Sequence, residues 1–92
     1  MDAQTLVETA RKLAPSVRER ARQTELDRNV PAATIKELQE AGLFRALQPK
    51  RFGGFELPPT AFYEAAIELG AACGSTGWVY GVVGVHPWQL AL

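Results

Sequence analysis

The chain has 92 residues and balances ten Lys and Arg against ten Asp and Glu, so it lacks the basic excess that phosphate backbones demand of a partner. Hydrophobic residues at 47% and charged residues at 22% fit a folded globular chain and exclude a disordered one. The length admits one domain, and a single cysteine excludes a disulfide framework and any multi-thiolate metal site.

The first predicted element is a helix from Asp2 to about Glu25. Leu6, Ala10, Leu13, Val17 and Ala21 recur at spacings of four, three, four and four, which makes one apolar stripe. Arg11, Arg18, Glu19 and Arg22 read as its solvated face. Pro15 removes a backbone donor inside the pattern, so a kink or restart is expected there.

Asp27-Arg28-Asn29-Val30-Pro31 is the first break. Pro31 suits the first position of a second helix running to Ala41, with Asn29 as a nearby cap and Ile35 and Leu38 buried. Gly42 suits the left-handed position after that helix, and Leu43 then falls back against Leu38. Residues 43–47 are short and apolar, and helix or extended structure would serve equally. Residues 48–54 form a loop by their Pro and paired Gly, where Gly53 and Gly54 permit positive φ or a close backbone approach.

A third helix opens at Pro58 or Pro59 and runs to about Ala72, with Phe62, Ala66, Leu69 and Cys73 as its stripe. Glu64 and Glu68 are like charges one turn apart, unfavourable unless a cation lies close. Gly74 is expected to end this helix and Ser75 or Thr76 to cap the next. The fourth helix, Gly77 to about His86, is apolar on nearly all sides and must be covered all round. Gly77, Gly81 and Gly84 permit close approach of a neighbour, and Pro87 is expected to leave His86 at the helix end.

Every Lys and Arg lies at or before Arg51, and no formal charge follows Glu68. Such a tail predicts an N-terminal piece of a longer protein. It is long enough to cross a membrane, but five glycines with Ser75, Thr76, His86, Pro87 and Gln89 dilute it, so a helix buried in protein is expected instead. The absence of a basic-then-apolar leader after Met1 makes the cytoplasm the expected compartment.

The sequence holds no GxGxxG, phosphate loop, HExxH or metal cluster, so no metal is expected. Cys73, in a helix stripe, reads as a small core residue rather than a nucleophile paired with His86. The remaining candidates are the late aromatic residues Trp78, Tyr80, His86 and Trp88. Trp78 and His86 stand about 80° apart around a helix and about 12 Å along it, so they can border one cavity at two depths. Spacing alone favours the structural reading, a Trp that fills the core and a His satisfied by a backbone carbonyl.

Three motifs add a resemblance. Gly42-Leu43-Phe44, Gln48-Pro49-Lys50-Arg51-Phe52-Gly53-Gly54 and Cys73-Gly74-Ser75-Thr76-Gly77-Trp78 resemble the N-terminal helical domain of the acyl-CoA dehydrogenase superfamily. Within it the chain is most similar to flavin-dependent aromatic hydroxylases, the oxygenase components of two-component monooxygenases acting on phenols such as hydroxyphenylacetate and secoandrostatriene dione. Gly74-Ser75-Thr76-Gly77-Trp78, with Gly84-Val85-His86 and Trp88-Gln89-Leu90-Ala91-Leu92, is the most specific part, and the likeness runs from about Arg18 to Leu92.

The resemblance implies an all-α fold of about four helices, with residues 1–92 supplying the first of three domains and the others a β domain and a helical bundle that assembles homo-tetramers. It implies a flavin reductase as partner, reduced flavin (FMN before FAD) and O2 as co-reactants, and a phenolic or other aromatic small molecule as substrate. By position, Trp78 would line the flavin and substrate cavity, and His86 would hydrogen-bond the phenolic oxygen. Two other readings stand beside it: an acyl-CoA dehydrogenase using FAD on a thioester, and a helical interaction module without chemistry. The 92 residues alone supply too few cavity walls for activity.

Overall fold

A computed structural model describes residues 1–91, with side chains described for residues 1–51 and 53–86. The described residues form five α-helices and two short 3-10 turns: α1 Ala3–Glu19, α2 Ala21–Asp27, α3 Ala32–Glu40, α4 Pro59–Ala72 and α5 Gly74–Ala91, with the turns at Leu43–Arg45 and Lys50–Phe52. The expected all-α architecture is present, with one helix more than the four expected.

The extra helix arises at the front. Asp2 caps α1, its carboxylate accepting the Thr5 N–H at 2.8 Å, and Leu6, Ala10, Ala14 and Val17 turn inward. Leu13 and Ala21 of the expected stripe sit at its edge, half-buried. The restart comes at Arg20 and not at Pro15. Pro15 faces solvent, where water can satisfy the carbonyl that its ring leaves unpaired. At Arg20 the N–H is shared between the Ser16 and Val17 carbonyls, which tightens the last turn. The Arg20 guanidinium reaches across to Glu37 and to Thr34 Oγ1 on α3, and this contact holds the chain at the corner.

Helix α3 begins one residue later than expected. Pro31 is extended (φ −58°, ψ 145°) and caps the helix through its carbonyl, which accepts from Thr34 and Ile35, whereas Asn29 makes no capping hydrogen bond. Leu38 is buried and Ile35 only half so. Gly42 adopts the left-handed conformation (φ 84°) and its N–H bonds the Gln39 carbonyl at 3.0 Å, so Leu43 turns back into the same core as Leu38.

The apolar residues after Gly42 resolve as a 3-10 turn. Both proposed uses of the glycine pair are realised: Gly53 takes φ 86°, and a Cβ on Gly54 would lie 2.1 Å from the Gln48 carbonyl oxygen. Backbone hydrogen bonds from Phe55 to Arg45, Glu56 to Gln48 and Leu57 to Ala46 close the loop on itself.

Helix α4 starts at Pro59 and buries Ala61, Phe62, Ala65, Leu69 and Ala72, with Ala66 at the edge. Its principal neighbours are α1 and α5. The cation needed near Glu64 and Glu68 is Arg11 of α1, whose Nη2 donates to Glu68 Oε1 at 2.9 Å.

Two boundaries differ at α5. The corner is Cys73, in extended backbone (φ −158°, ψ 114°), so Gly74 begins α5 and Ser75 and Thr76 lie in its first turn. The Cys73 N–H closes α4 on the Leu69 carbonyl at 2.9 Å, and its carbonyl accepts from Gly77 at 3.0 Å, so one residue terminates both helices. The thiol is buried in the core, matching the structural reading. At the far end α5 continues through Pro87 to Ala91, which places His86 inside the helix and not at its end. The carbonyl that Pro87 frees belongs to Val83, on the exposed side of the helix, where water can replace the lost donor.

Candidate functional site

Helix α5 is apolar on every side, so no polar face tells it which way to turn. Shape decides instead. Gly77 lies so close to α4 that an added Cβ would stand 2.5 Å from Gly70 Cα, and a Cβ on Gly84 would stand 2.5 Å from the Phe62 ring. Between these notches Tyr80 is fully buried, its ring 4.8 Å from Phe62 and 5.6 Å from Phe44, centroid to centroid. Its hydroxyl donates to the Leu43 carbonyl at 2.9 Å, and burial pushes the phenol pKa well above its usual value. Thr76, Gly77, Tyr80 and Gly84 therefore form the inner face.

The opposite face carries Trp78, 70% exposed, with Val83 and His86 also exposed. Where the first turns of α5 meet the connection between α2 and α3, an open groove of about 660 Å³ is lined by Trp78, Val79 and Ser75 on one side and by Glu25, Arg28 and Val30 on the other. The lining mixes apolar Trp78, Val79 and Val30 with ionised Glu25 and Arg28, which suits a planar ligand with polar substituents.

The four aromatic candidates thus separate. Trp78 lines the groove. His86 lies two turns farther along, on the exposed side and outside the groove's lining. Tyr80 belongs to the core, and the side chain of Trp88 lies outside the described residues. Arg28, with φ 54° at the end of α2, helps to build the second wall of the groove, which sequence reasoning did not find. The break at residues 27–31 was legible as a turn, but its approach to α5 joins residues some fifty positions apart, and no local pattern encodes that. Among the described residues, no three His, Cys, Asp or Glu side chains gather to hold a metal ion, and no helix is long and apolar enough to cross a membrane.

Residues 1–91 match the family described as acyl-CoA dehydrogenase, N-terminal domain. The chain belongs to that family. Among curated relatives, it is 51% identical to the flavin-dependent monooxygenase oxygenase subunit HsaA of Rhodococcus jostii over 80 residues, 87% of this chain and 21% of that protein. It is 46% identical to the FADH(2)-dependent resorcinol hydroxylase oxygenase component of a Rhizobium species, over 87% of this chain and 20% of that one. The crystal structure of the HsaA monooxygenase from M. tuberculosis superposes with a TM-score of 0.94 at 45% identity, covering 99% of this chain and 25% of the other. The chain spans a fifth to a quarter of the length of these relatives of the family, and the likeness reaches its α5 motif as well as its front half.

Proposed function

We propose that this chain is the N-terminal helical domain of a flavin-dependent monooxygenase that hydroxylates a phenolic or other aromatic substrate. The observation that carries the reading is the outward face of α5, where an indole and an imidazole stand exposed on an otherwise apolar helix of a chain related to such oxygenases.

The residues present fit a flavin: the exposed indole of Trp78 beside Val79 and Val30 offers a flat apolar surface to a planar heterocycle. When bound, reduced flavin together with O2 supplies one oxygen atom to the ring and the two electrons that take the other oxygen to water. The chain's own contribution is to surround and orient. Trp78 covers ring surface and keeps water from it, as do the valines of the same helix. A nitrogen of the His86 imidazole accepts the hydrogen bond, or the proton, of the phenolic hydroxyl, and so raises electron density at the ortho carbon where oxygen is placed.

The full-length protein is expected to work in the cytoplasm as a homo-tetramer with a separate flavin reductase. Reduced FMN is the first flavin to test. Reduced FAD is the second, since one relative is named for FADH(2).

The test uses full-length protein with each reduced flavin and O2, against a panel of phenols and a panel of acyl-CoA thioesters. Ortho-hydroxylated product is expected from at least one phenol. Oxidation of acyl-CoA alone would replace the proposal with a dehydrogenase. His86→Ala should lower product per flavin oxidised and raise hydrogen peroxide correspondingly, and an unchanged ratio would remove His86 from the site. The isolated 92 residues should hydroxylate nothing, even with a reductase present.

A further inference from the structure

We propose that Tyr80 is a positioning residue for the α5 site: its buried hydroxyl, bonded to the Leu43 carbonyl, sets the rotation of α5 and so the direction in which Trp78 and His86 point. This rests on the function proposed above. An amphipathic helix is turned by the solvent, because rolling it would bury charge. Helix α5 has no charged residue, so rolling it exchanges one apolar side for another at little hydrophobic cost. The glycine notches at Gly77 and Gly84 favour one orientation by shape. The notches set where the helices touch, however, and supply no directional bond.

The Tyr80 hydrogen bond is directional. Among the described residues it is the only side-chain hydrogen bond tying α5 to another element. It anchors the helix to the 3-10 turn at Leu43–Arg45, which Gly42 in turn fixes to the end of α3. Trp78 lies two residues before Tyr80, about 200° around the helix, so the inward phenol and the outward indole form one rigid lever. A misplacement of about 1 Å in groups that hold a reacting pair can cost ~10²-fold.

The experiment is Tyr80→Phe in full-length protein, which keeps the ring between Phe44 and Phe62 and removes only the donor. Val17→Ala, a buried change on α1, serves as a control for lost stability. Both are read well below their melting temperatures. Hydroxylated product per flavin oxidised should fall about three- to tenfold in Tyr80→Phe, with peroxide rising in step and the KM for reduced flavin little moved, while Val17→Ala keeps the wild-type ratio.

A second readout is independent of turnover. In protein labelled with 5-fluorotryptophan, the Trp78 resonance, assigned by its loss in Trp78→Phe, should shift or split in Tyr80→Phe and stay in place in Val17→Ala. An unmoved resonance, or an unmoved product ratio in an active enzyme, overturns the proposal, as does an equal effect in the control. If wild-type protein hydroxylates no phenol, the functional reading has failed, and the fluorine resonance alone then decides whether Tyr80 orients α5.

Discussion

Helices α1 and α5 are almost the same length, yet they are held by opposite means. Helix α1 is striped: Leu6, Ala10, Ala14 and Val17 face inward, its Arg and Glu residues stay wet, and an ion pair from Arg11 to Glu68 reinforces its seat on α4. Water fixes its orientation. Helix α5 has no such stripe and relies on backbone approaching backbone at Gly77 and Gly70, on a ring lying over Gly84, and on one buried hydroxyl. The contrast teaches that a scaffold helix can be specified by pattern, whereas a helix that keeps two faces apolar needs stereochemical keys.

Substitutions can break that contrast or sharpen it. The largest effect is expected in the striped half: Leu6→Ala removes a fully buried side chain and should cost about 2–5 kcal/mol in denaturant unfolding. Gly77→Ala comes next. Its methyl would stand 2.5 Å from backbone on α4, which cannot swing aside, so a loss of about 1–3 kcal/mol is expected together with a changed near-ultraviolet signal from the displaced α5.

Gly81 lies on the same helix with nothing within 4 Å of an added Cβ, so Gly81→Ala should stabilise the described chain by about 0.5–1 kcal/mol. A loss at Gly81 equal to that at Gly77 would mean that the notches are not what holds α5. Arg11→Ala should shift the thermal midpoint least, and the shift should fade as salt is raised, because that ion pair is exposed.

The Asp2 cap adds a pH signature. The Thr5 N–H holds its carboxyl below the usual range, so the stabilisation is complete above the ordinary aspartate value of about 3.9 and is lost as pH falls through the lowered folded value. Asp2→Asn should flatten the acid limb of a melting-temperature profile.

The striped half was largely legible in the sequence, since Leu6, Ala10 and Val17 repeat at helical spacing and Gly42-Leu43 carries its own cap geometry. Proline positions misled. Pro15 and Pro87 both ride inside helices, because the carbonyl each one frees sits where water can reach it, and sequence spacing does not show exposure. The Cys73 corner was missed by one residue, since Gly74 looks like the better helix breaker until the extended backbone at Cys73 is seen. Within the candidate site, Trp78 and His86 stood out as rings on an uncharged segment, and the roles expected of them came from the resemblance. Which way α5 turns them, and the wall that Arg28 and Val30 bring to Trp78, depend on contacts distant along the chain.

Sharing one residue between the end of α4 and the start of α5 leaves no slack between them. An extra residue inserted beside Cys73 would wind α5 by about 100° and lift it by about 1.5 Å, moving the indole into the place of Val79 and the phenol into that of Gly81. The corner should therefore accept exchanges of side chain far more readily than any change of length, and two-residue tandem insertions there should be as damaging as single ones.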